Sequence, residues 1–317
     1  MTAELVIIIV NWNGGELLRN CLASIKSFPP GLPYETVVVD NASTDGSREW
    51  LASGELPIRL IKSDENLGFG RANNLAFKET TAPLIFLLNS DAEIQAGALD
   101  TLIATLKSDP KIGVVGPRLH NPDGTLQASV WKNPTTPIET LGNAFRLYKL
   151  MPSRMRANLF LGYHFDHSHR RDASLLSGAA LLVRRAVIDD VGGFEERFHM
   201  YGEDTEWCLR IVRGGWRMVF EPEAIVTHHG GASATKRWTD LEKRREVYLS
   251  FFRFQRLSLS RPLVIGNLLS GCLASSSQLL WQFIRRQPRD EARMVVGLHV
   301  HELKDILLAR GPAGKTG

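Results

Sequence analysis

At 317 residues, 44% hydrophobic and 23% charged, the chain can bury one large α/β core or two small ones, which excludes the disordered and fibrous classes. Its three cysteines, Cys21, Cys208 and Cys272, are odd in number and form no Cys-x-x-Cys pair, which excludes a disulfide framework or thiolate zinc site and fits a reducing cytosol. The net charge of +4 is unevenly placed: 15 basic and 7 acidic residues follow Thr235, whereas 23 basic and 27 acidic precede it.

Met1 to Glu4 lead straight into the apolar run Leu5 to Val10, so the start reads as a first strand and no secretion signal is expected. Asn11-Trp-Asn-Gly-Gly15 follows as a turn, and 16–27 as a helix. Tyr34 to Val39 is a second buried strand that ends in Asp40 to Gly46, followed by a short helix over 47–53. Residues 58–62 form a third strand, the Gly/Asn-rich 66–74 turn runs into a helix through Lys78, and Leu84 to Leu88 is a fourth strand ending at Asn89-Ser-Asp91. This alternation predicts a doubly wound, Rossmann-like sheet flanked by helices.

A further strand is expected at 112–115, then an irregular stretch over 118–172 that reads as a mobile or acceptor-facing insertion. Strand character resumes over 177–184, with a short helix at 185–190, a turn at 191–194, a helix at 203–214 and two short strands at 217–220 and 224–227. From Leu241 the pattern is helical. Between Arg261 and Arg285 lie 23 residues without a charge, long enough to span a bilayer but diluted by Gly, Ser, Asn and Gln, so an interfacial or dimerising helix is expected. The flanking arginines at 253, 256, 261, 285, 286 and 289 suit anionic headgroups; a buried helical hairpin is the plainer alternative.

In an open α/β sheet the ligand sits beyond the carboxyl ends of the strands, and each polar cluster follows an apolar strand. Four loops, at 11–13, 40–45, 66–74 and 89–91, would therefore share one crevice, although Asn, Asp and Gly also populate ordinary turns. Asp40 could accept hydrogen bonds from a nucleobase or ribose, or cap an Asx-turn. Asp91 could bind a divalent cation, or cap the residues after it. Glu203, Asp204 and Glu206 gather where a helix begins, a position the helix dipole favours for carboxylates and which also fits a general base. His228 and His229 end a strand, so they point to opposite faces and at most one is expected as a metal ligand.

Val10-Asn-Trp-Asn-Gly14, Val39-Asp-Asn-Ala-Ser43, Asn66-Leu-Gly-Phe69 with Ala72-Asn-Asn74, Leu88-Asn-Ser-Asp91, Gly202-Glu-Asp204 and His228-His-Gly-Gly-Ala-Ser233 together resemble the family 2 glycosyltransferases, and more narrowly their rhamnosyltransferase-type members. The resemblance covers about residues 4–238 and implies a GT-A fold over 1–238, with a nucleotide-sugar half to about 117 and an acceptor half over 118–238. A basic helical extension, for a membrane surface or dimerisation, would occupy 239–317. It implies inverting, metal-assisted transfer of a sugar from a nucleoside diphosphate to an acceptor hydroxyl. The nucleotide-sugar contacts it implies are Val10, Asn11, Asn13, Asp40, Asn41, Ser43, Asn66, Gly68, Arg71, Asn74, Asn89, Ser90 and Asp91. Mg²⁺ or Mn²⁺ would sit on Asp91 and His228, and Asp204 would be the base, with Glu203 the runner-up.

Two departures from the family pattern stand out. The usual Asp-x-Asp is Asn89-Ser90-Asp91, and the Gln-x-x-Arg-Trp of processive members has Ala234 in the Gln position before Arg237-Trp238, which favours single-sugar addition. The expectation is an enzyme on the cytosolic face of the membrane that moves L-rhamnose from dTDP-L-rhamnose onto a saccharide or polyprenyl-linked acceptor for cell-surface polysaccharide. A UDP-sugar-dependent transferase, a sugar-phosphate nucleotidyltransferase and a non-catalytic saccharide-binding scaffold are the alternatives. A homodimer is open, and no nucleic-acid partner is expected.

Overall fold

The computed structural model describes residues 3–54, 56–131, 136–153, 155–156, 162–230 and 239–308. The chain divides into two compact units, Met1–Asn133 with Ala157–Arg237, and Pro134–Arg156 with Trp238–Gly317. Residues 134–156 therefore group with the C-terminal helices and not with the acceptor half expected over 118–238. Within the second unit, the helix Pro137–Ala144 packs against Arg261–Ile284, where Thr140 Oγ1 lies 3.3 Å from Asn267 Oδ1.

The first unit is a mixed sheet built on β1 (Leu5–Asn11), β2 (Tyr34–Asn41), β3 (Arg59–Ser63) and β4 (Leu84–Asn89), with β5 (Ala92–Ile94), β6 (Ile112–His120), β7 (Leu126–Gln127), β8 (Val130–Trp131), β9 (Arg171–Ala173), β10 (Leu175–Leu176), β11 (Ala180–Arg184) and β12 (Arg217–His228). The main path runs β3-β2-β1-β4-β11-β6-β12-β5, with β7 on β6 and β9 on β12, while β8 and β10 form a separate pair. Pairing is parallel among β1 to β4 and between β6 and β12, and antiparallel where β11 joins β4 and β6.

The continuous apolar run of β1 has its reason in two-sided burial. Leu5, Ile7 and Ile9 enter one core layer with α1 (Gly15–Ser27) and α4 (Ala98–Lys107), while Val6 and Ile8 enter the other. That second layer holds α3 (Phe69–Lys78), α6 (Arg185–Val191) and α7 (Glu203–Arg213), and α2 (Ser47–Ala52) follows β2. The strand-by-strand reading passes over α4, although Leu99, Leu102, Ile103 and Leu106 recur at helical spacing and are buried.

Two further differences have local causes. The strands expected at 217–220 and 224–227 are one strand, β12, whose register against β6 shifts between Glu221 and Ile225. Pro222 cannot donate to the ladder, and the Glu221 carboxylate beside it is buried, accepting from Thr105 Oγ1 at 2.6 Å and Arg170 Nε at 2.6 Å. The stretch expected to be irregular carries β7, β8, β9 and the helix Pro137–Ala144 (α5), and β6 runs on to His120.

The second unit also contains α8 (Asp240–Ser258), α9 (Arg261–Ile284) and α10 (Asp290–Leu308). Thr239 and Glu242 close a capping box at the start of α8. Phe252, Val264, Leu268 and Ile306 form the small core. His299 is buried in it, its Nδ1 2.9 Å from Val295 O, and burial lowers its pKa. A Cβ placed on Gly271 would meet His299 Nε2 at 2.2 Å, whereas one on Gly297 of α10 meets nothing within 4 Å.

These two glycines predict opposite outcomes for the same substitution. Gly271→Ala overpacks α9 against His299 and should cost about 1–3 kcal/mol. Gly297→Ala only removes backbone entropy from the unfolded chain and should stabilise by roughly 0.5–1 kcal/mol. Thermal unfolding of the two variants checks both signs.

Candidate active site

The carboxyl ends of β1, β2 and β4 open on one cavity of about 260 Å³. Val10, Asn41, Asn66, Gly68, Asn89, Ser90, Asp91, Glu203, Asp204 and His228 line it, as the strand-end argument predicts. Trp12 and Phe69, on two of the loops expected there, line it as well, and so do Ser177, Gly178, Ala179, Met200 and Tyr201, which the loop-by-loop reading had not placed there. The run of small residues from Ser177 to Ala180 was the available signal, because close backbone approach selects such residues.

Several expected contact residues instead brace the loops from behind. Asn11 is fully buried; its Nδ2 lies 3.0 Å from both Ser43 Oγ and Ser47 Oγ, and its Oδ1 accepts from Gly14 N at 3.1 Å. Ser43 Oγ also accepts from Asn13 N at 3.0 Å, and Asn13 Oδ1 accepts from Thr44 N at 2.7 Å. Asp40 is buried against Arg48, whose Nε stands 2.5 Å from Oδ2. Asn41 ties this brace to the cavity wall: its Oδ1 accepts from Leu67 N at 2.8 Å and its Nδ2 donates to Asn66 Oδ1 at 3.1 Å.

Two further expected contacts lie away from the cavity wall. Asn74 spends both amide atoms on Phe194, accepting from its N–H at 2.8 Å and donating to its carbonyl at 2.8 Å, because its position on α3 faces the 192–196 turn. Arg71 is half-exposed and stands 3.6 Å from Glu65; it does not line the cavity. The 192–196 turn that Asn74 grips is also held by Trp207, whose Nε1 donates to Gly192 O at 2.8 Å and whose ring meets that of Phe194 at a tilt of 41° with centroids 4.3 Å apart. Gly68 presses on the segment that follows. Its φ is +79° and a Cβ there would lie 2.2 Å from His199 O, so only glycine fits.

The two acids at the start of α7 differ in support. Asp204 is half-buried and accepts from Thr205 N at 2.7 Å and Gly178 N at 3.3 Å. Glu203, 7% exposed, has its Oε2 buried with no hydrogen-bond partner. Burial raises the pKa of both, and for Glu203 the neighbouring Asp204 charge raises it further. Donors stabilise an ionised carboxylate and their lack disfavours it, so the negative charge rests on Asp204 and the shared proton on Glu203.

Across the cavity His228 Nε2 stands 3.3 Å from Asp91 Oδ1 and 3.3 Å from Asn89 Nδ2. Its ring is set by Gln127, whose Oε1 is 2.7 Å from Nδ1 while its Nε2 donates to Asn121 Oδ1 at 2.8 Å and His228 O at 3.1 Å. Those two carbonyls fix the amide orientation, so Gln127 Oε1 accepts from Nδ1–H and the lone pair lies on Nε2. His229 turns the other way, toward Glu93 at 3.1 Å. Among the described residues no group of three or more His, Cys, Asp or Glu could hold a metal. A carboxylate oxygen and an imidazole lone pair 3.3 Å apart do fit neighbouring ligands on an octahedral ion, which stand about 3 Å apart. Residues 231–238, with Ser233, Ala234 and the Arg237-Trp238 pair, lie outside the described residues.

The glycosyl transferase family 2 profile matches residues 6–192, and that of glycosyl transferase family 21 matches 167–280. An N-acetylglucosaminyl-diphospho-decaprenol L-rhamnosyltransferase of Mycobacterium tuberculosis is 28% identical over 94% of this chain and 100% of its own length. A low-salt glycan biosynthesis hexosyltransferase, Agl10 of Haloferax volcanii, is 29% identical over 79% of this chain and 74% of its own. Among solved structures, the mannosyltransferase PcManGT from Pyrobaculum calidifontis, in complex with GDP-Man and Mn²⁺, superposes with a TM-score of 0.54 at 17% identity, covering 97% of this chain and 87% of that one. TarS of S. aureus does so at 0.52 and 16%, covering 95% and 92%. At these identities the structures establish the fold, GT-A, and no more.

The orphaned Glu203 predicts a pH-dependent stability. Its raised folded pKa means that its contribution is fully present below the unfolded value of about 4.3 and is lost as pH rises through the folded value. Glu203→Gln should therefore match the parent melting temperature in acid and exceed it increasingly toward alkaline pH. Gln127→Leu should leave the fold intact but release the His228 ring, read as a mixed tautomer in the nitrogen NMR shifts.

Proposed function

The chain belongs to the family 2 glycosyltransferases, and from that premise we propose that it transfers one sugar, L-rhamnose from dTDP-L-rhamnose, with inversion onto a hydroxyl of a saccharide or lipid-linked saccharide. The observation that carries the reading is one cavity lined both by the adjacent acids Glu203 and Asp204 and by the Asp91–His228 pair. The choice of sugar and of a polyprenyl-linked acceptor is supported by the end-to-end similarity to the mycobacterial L-rhamnosyltransferase. In the same reading the enzyme works in the cytoplasm, peripheral on the inner face of the membrane.

In this reading the nucleoside lies along Val10, Asn41, Asn66 and Gly68, on loops held rigid by Asn11, Asn13, Asp40 and Ser43 behind them. Asn89, Ser90 and Asp91 face the diphosphate. Asp91 and His228 would hold Mg²⁺ or Mn²⁺, which when bound offsets the charge gathering on the departing diphosphate. Asp204 takes the proton from the acceptor hydroxyl as its oxygen attacks the anomeric carbon. Its raised pKa makes it a stronger base than an exposed aspartate, and the Gly178 and Thr205 N–H groups keep it ionised. Glu203, protonated, adds no second charge to the place where the hydroxyl must sit. Trp12, Met200 and Tyr201 supply apolar and aromatic surface for a sugar face.

The test is calorimetric binding and turnover with a panel of nucleotide sugars, with and without Mn²⁺. One donor, dTDP-L-rhamnose, should bind in a metal-dependent way, and Asp91→Ala should abolish that dependence. Asp204→Asn should keep donor binding and lower kcat by at least about 10²–10⁴-fold. Binding of a UDP-sugar alone would move the assignment to that donor. No binding of any nucleotide would sink the enzyme reading in favour of a saccharide-binding scaffold.

A further inference from the structure

The second unit ends its α9–α10 hairpin in a feature that its own packing does not explain. Every fully buried residue of α9 lies in its first part: Val264, Asn267, Leu268, Ser270, Gly271 and Ser275. Beyond Ser275 no residue of the helix is fully buried, yet it does not become polar. Leu280, Trp281, Phe283 and Ile284 are 60%, 55%, 61% and 63% exposed. At 100° per residue these four fall within one arc of about 160°, and Leu269 and Leu273, 53% and 58% exposed, continue the same face. A solvated tip would carry no such face. A face of this kind suits a membrane interface and a second copy alike, and the charges beside it separate the two.

The charges at the tip complete the pattern. Arg285 lies over the Trp281 ring at 4.6 Å and Arg289 over Phe283 at 5.2 Å, while Arg286, at φ +54°, turns the chain. Among the described residues no carboxylate pairs with any of the three. The arginines at the other end of α9 are used inside the unit: Arg256 pairs with Glu302, and Arg261 donates to Ile306 O at 2.9 Å. The +8 C-terminal balance thus has a specific place where its charge is offered outward.

We propose that the α9–α10 tip, Leu280 to Arg289, is a shallow insertion device for an anionic bilayer. Leu280, Trp281, Phe283 and Ile284 enter the interfacial zone, and Arg285, Arg286 and Arg289 bind lipid phosphates. Guanidiniums stacked flat on aromatic rings keep their edges free for phosphate oxygens, and Trp is suited to the headgroup level. A full span by α9 is incompatible with its first half, where Gly271 receives His299 and Asn267 meets Thr140. This deepens the membrane placement proposed above and is independent of the transfer chemistry, because it is tested on vesicles that carry neither donor nor acceptor.

The experiment is co-sedimentation of the full chain with vesicles of phosphatidylcholine, alone or mixed with phosphatidylglycerol. The parent should bind the mixed vesicles, more weakly as salt rises, with a blue-shifted emission that Trp281→Phe removes. The triple variant Arg285→Glu, Arg286→Glu, Arg289→Glu should lose on the order of 100-fold in partition, from the phosphate attraction of three arginines. The quadruple serine variant at 280, 281, 283 and 284 should lose binding at high salt. Both variants alter exposed side chains, and unchanged donor binding and melting temperature would verify that they fold. Equal partition of the parent and both variants would overturn the proposal, as would retention of the parent in carbonate-washed membranes, which indicates a span. A dimer seen by light scattering and dissolved by the serine variant would overturn it in favour of a second copy.

Discussion

The site depends on the register of one strand. In β1, Asn11 lies opposite Asp40 of β2 and Val10 opposite Asn89 of β4, so three buried strands pass from apolar to polar residues within one residue of the same level. Each strand is covered on both faces, and a slip of one residue would exchange its two sets of side chains between layers of different shape. The close packing of the layers thus fixes the level at which polar loops begin. Three loops with little sequence in common share a rim for that reason, and the buried Asn11 amide then joins the first two into one rigid body.

Onto that rim the fold brings a costly arrangement, two adjacent carboxyl groups at the buried start of α7. The helix dipole favours negative charge there, and the amides of Gly178 and Thr205 favour it on Asp204 in particular. Desolvation opposes it on both. The outcome is an unequal pair, one acid solvated by the protein backbone and one by nothing. Such a pair lowers stability and raises the proton affinity of both acids, a balance that concentrates at functional sites.

Much of this was legible because strand burial and loop polarity are local properties of the chain. The runs Leu5–Val10, Val37–Val39 and Leu84–Leu88 and the polar residues that end them place the crevice with no knowledge of the fold. What was not legible depends on long-range partners. Asn74 reads like its neighbours Asn66 and Asn73 until the turn at 192–196 arrives to occupy it. Gln127 orients His228 from 101 residues away, in a stretch with no sustained periodicity. The helix at Pro137–Ala144 carries no mark of belonging with the C-terminal helices until Gly266 of α9 offers the space for Pro137. Ala98–Lys107 is a different case, since its period was present and only overlooked.

The glycines around the cavity constrain how the protein can change over evolutionary time. At Gly68 an added methyl would strike the His199 carbonyl, at Gly193 the Asn74 amide at 2.2 Å, and at Gly178 it would crowd Asp204 at 3.3 Å. Gly68 admits no side chain and Gly193 none without moving Asn74, while at Gly178 the neighbour would have to give by a few tenths of an ångström, and each ties one segment around the cavity to another. Variation among descendants of this chain is thereby channelled into Val10, Trp12, Met200 and Tyr201, side chains that line the cavity on a backbone that cannot move. A lineage could exchange one sugar for another through those four residues while its catalytic frame stayed constant.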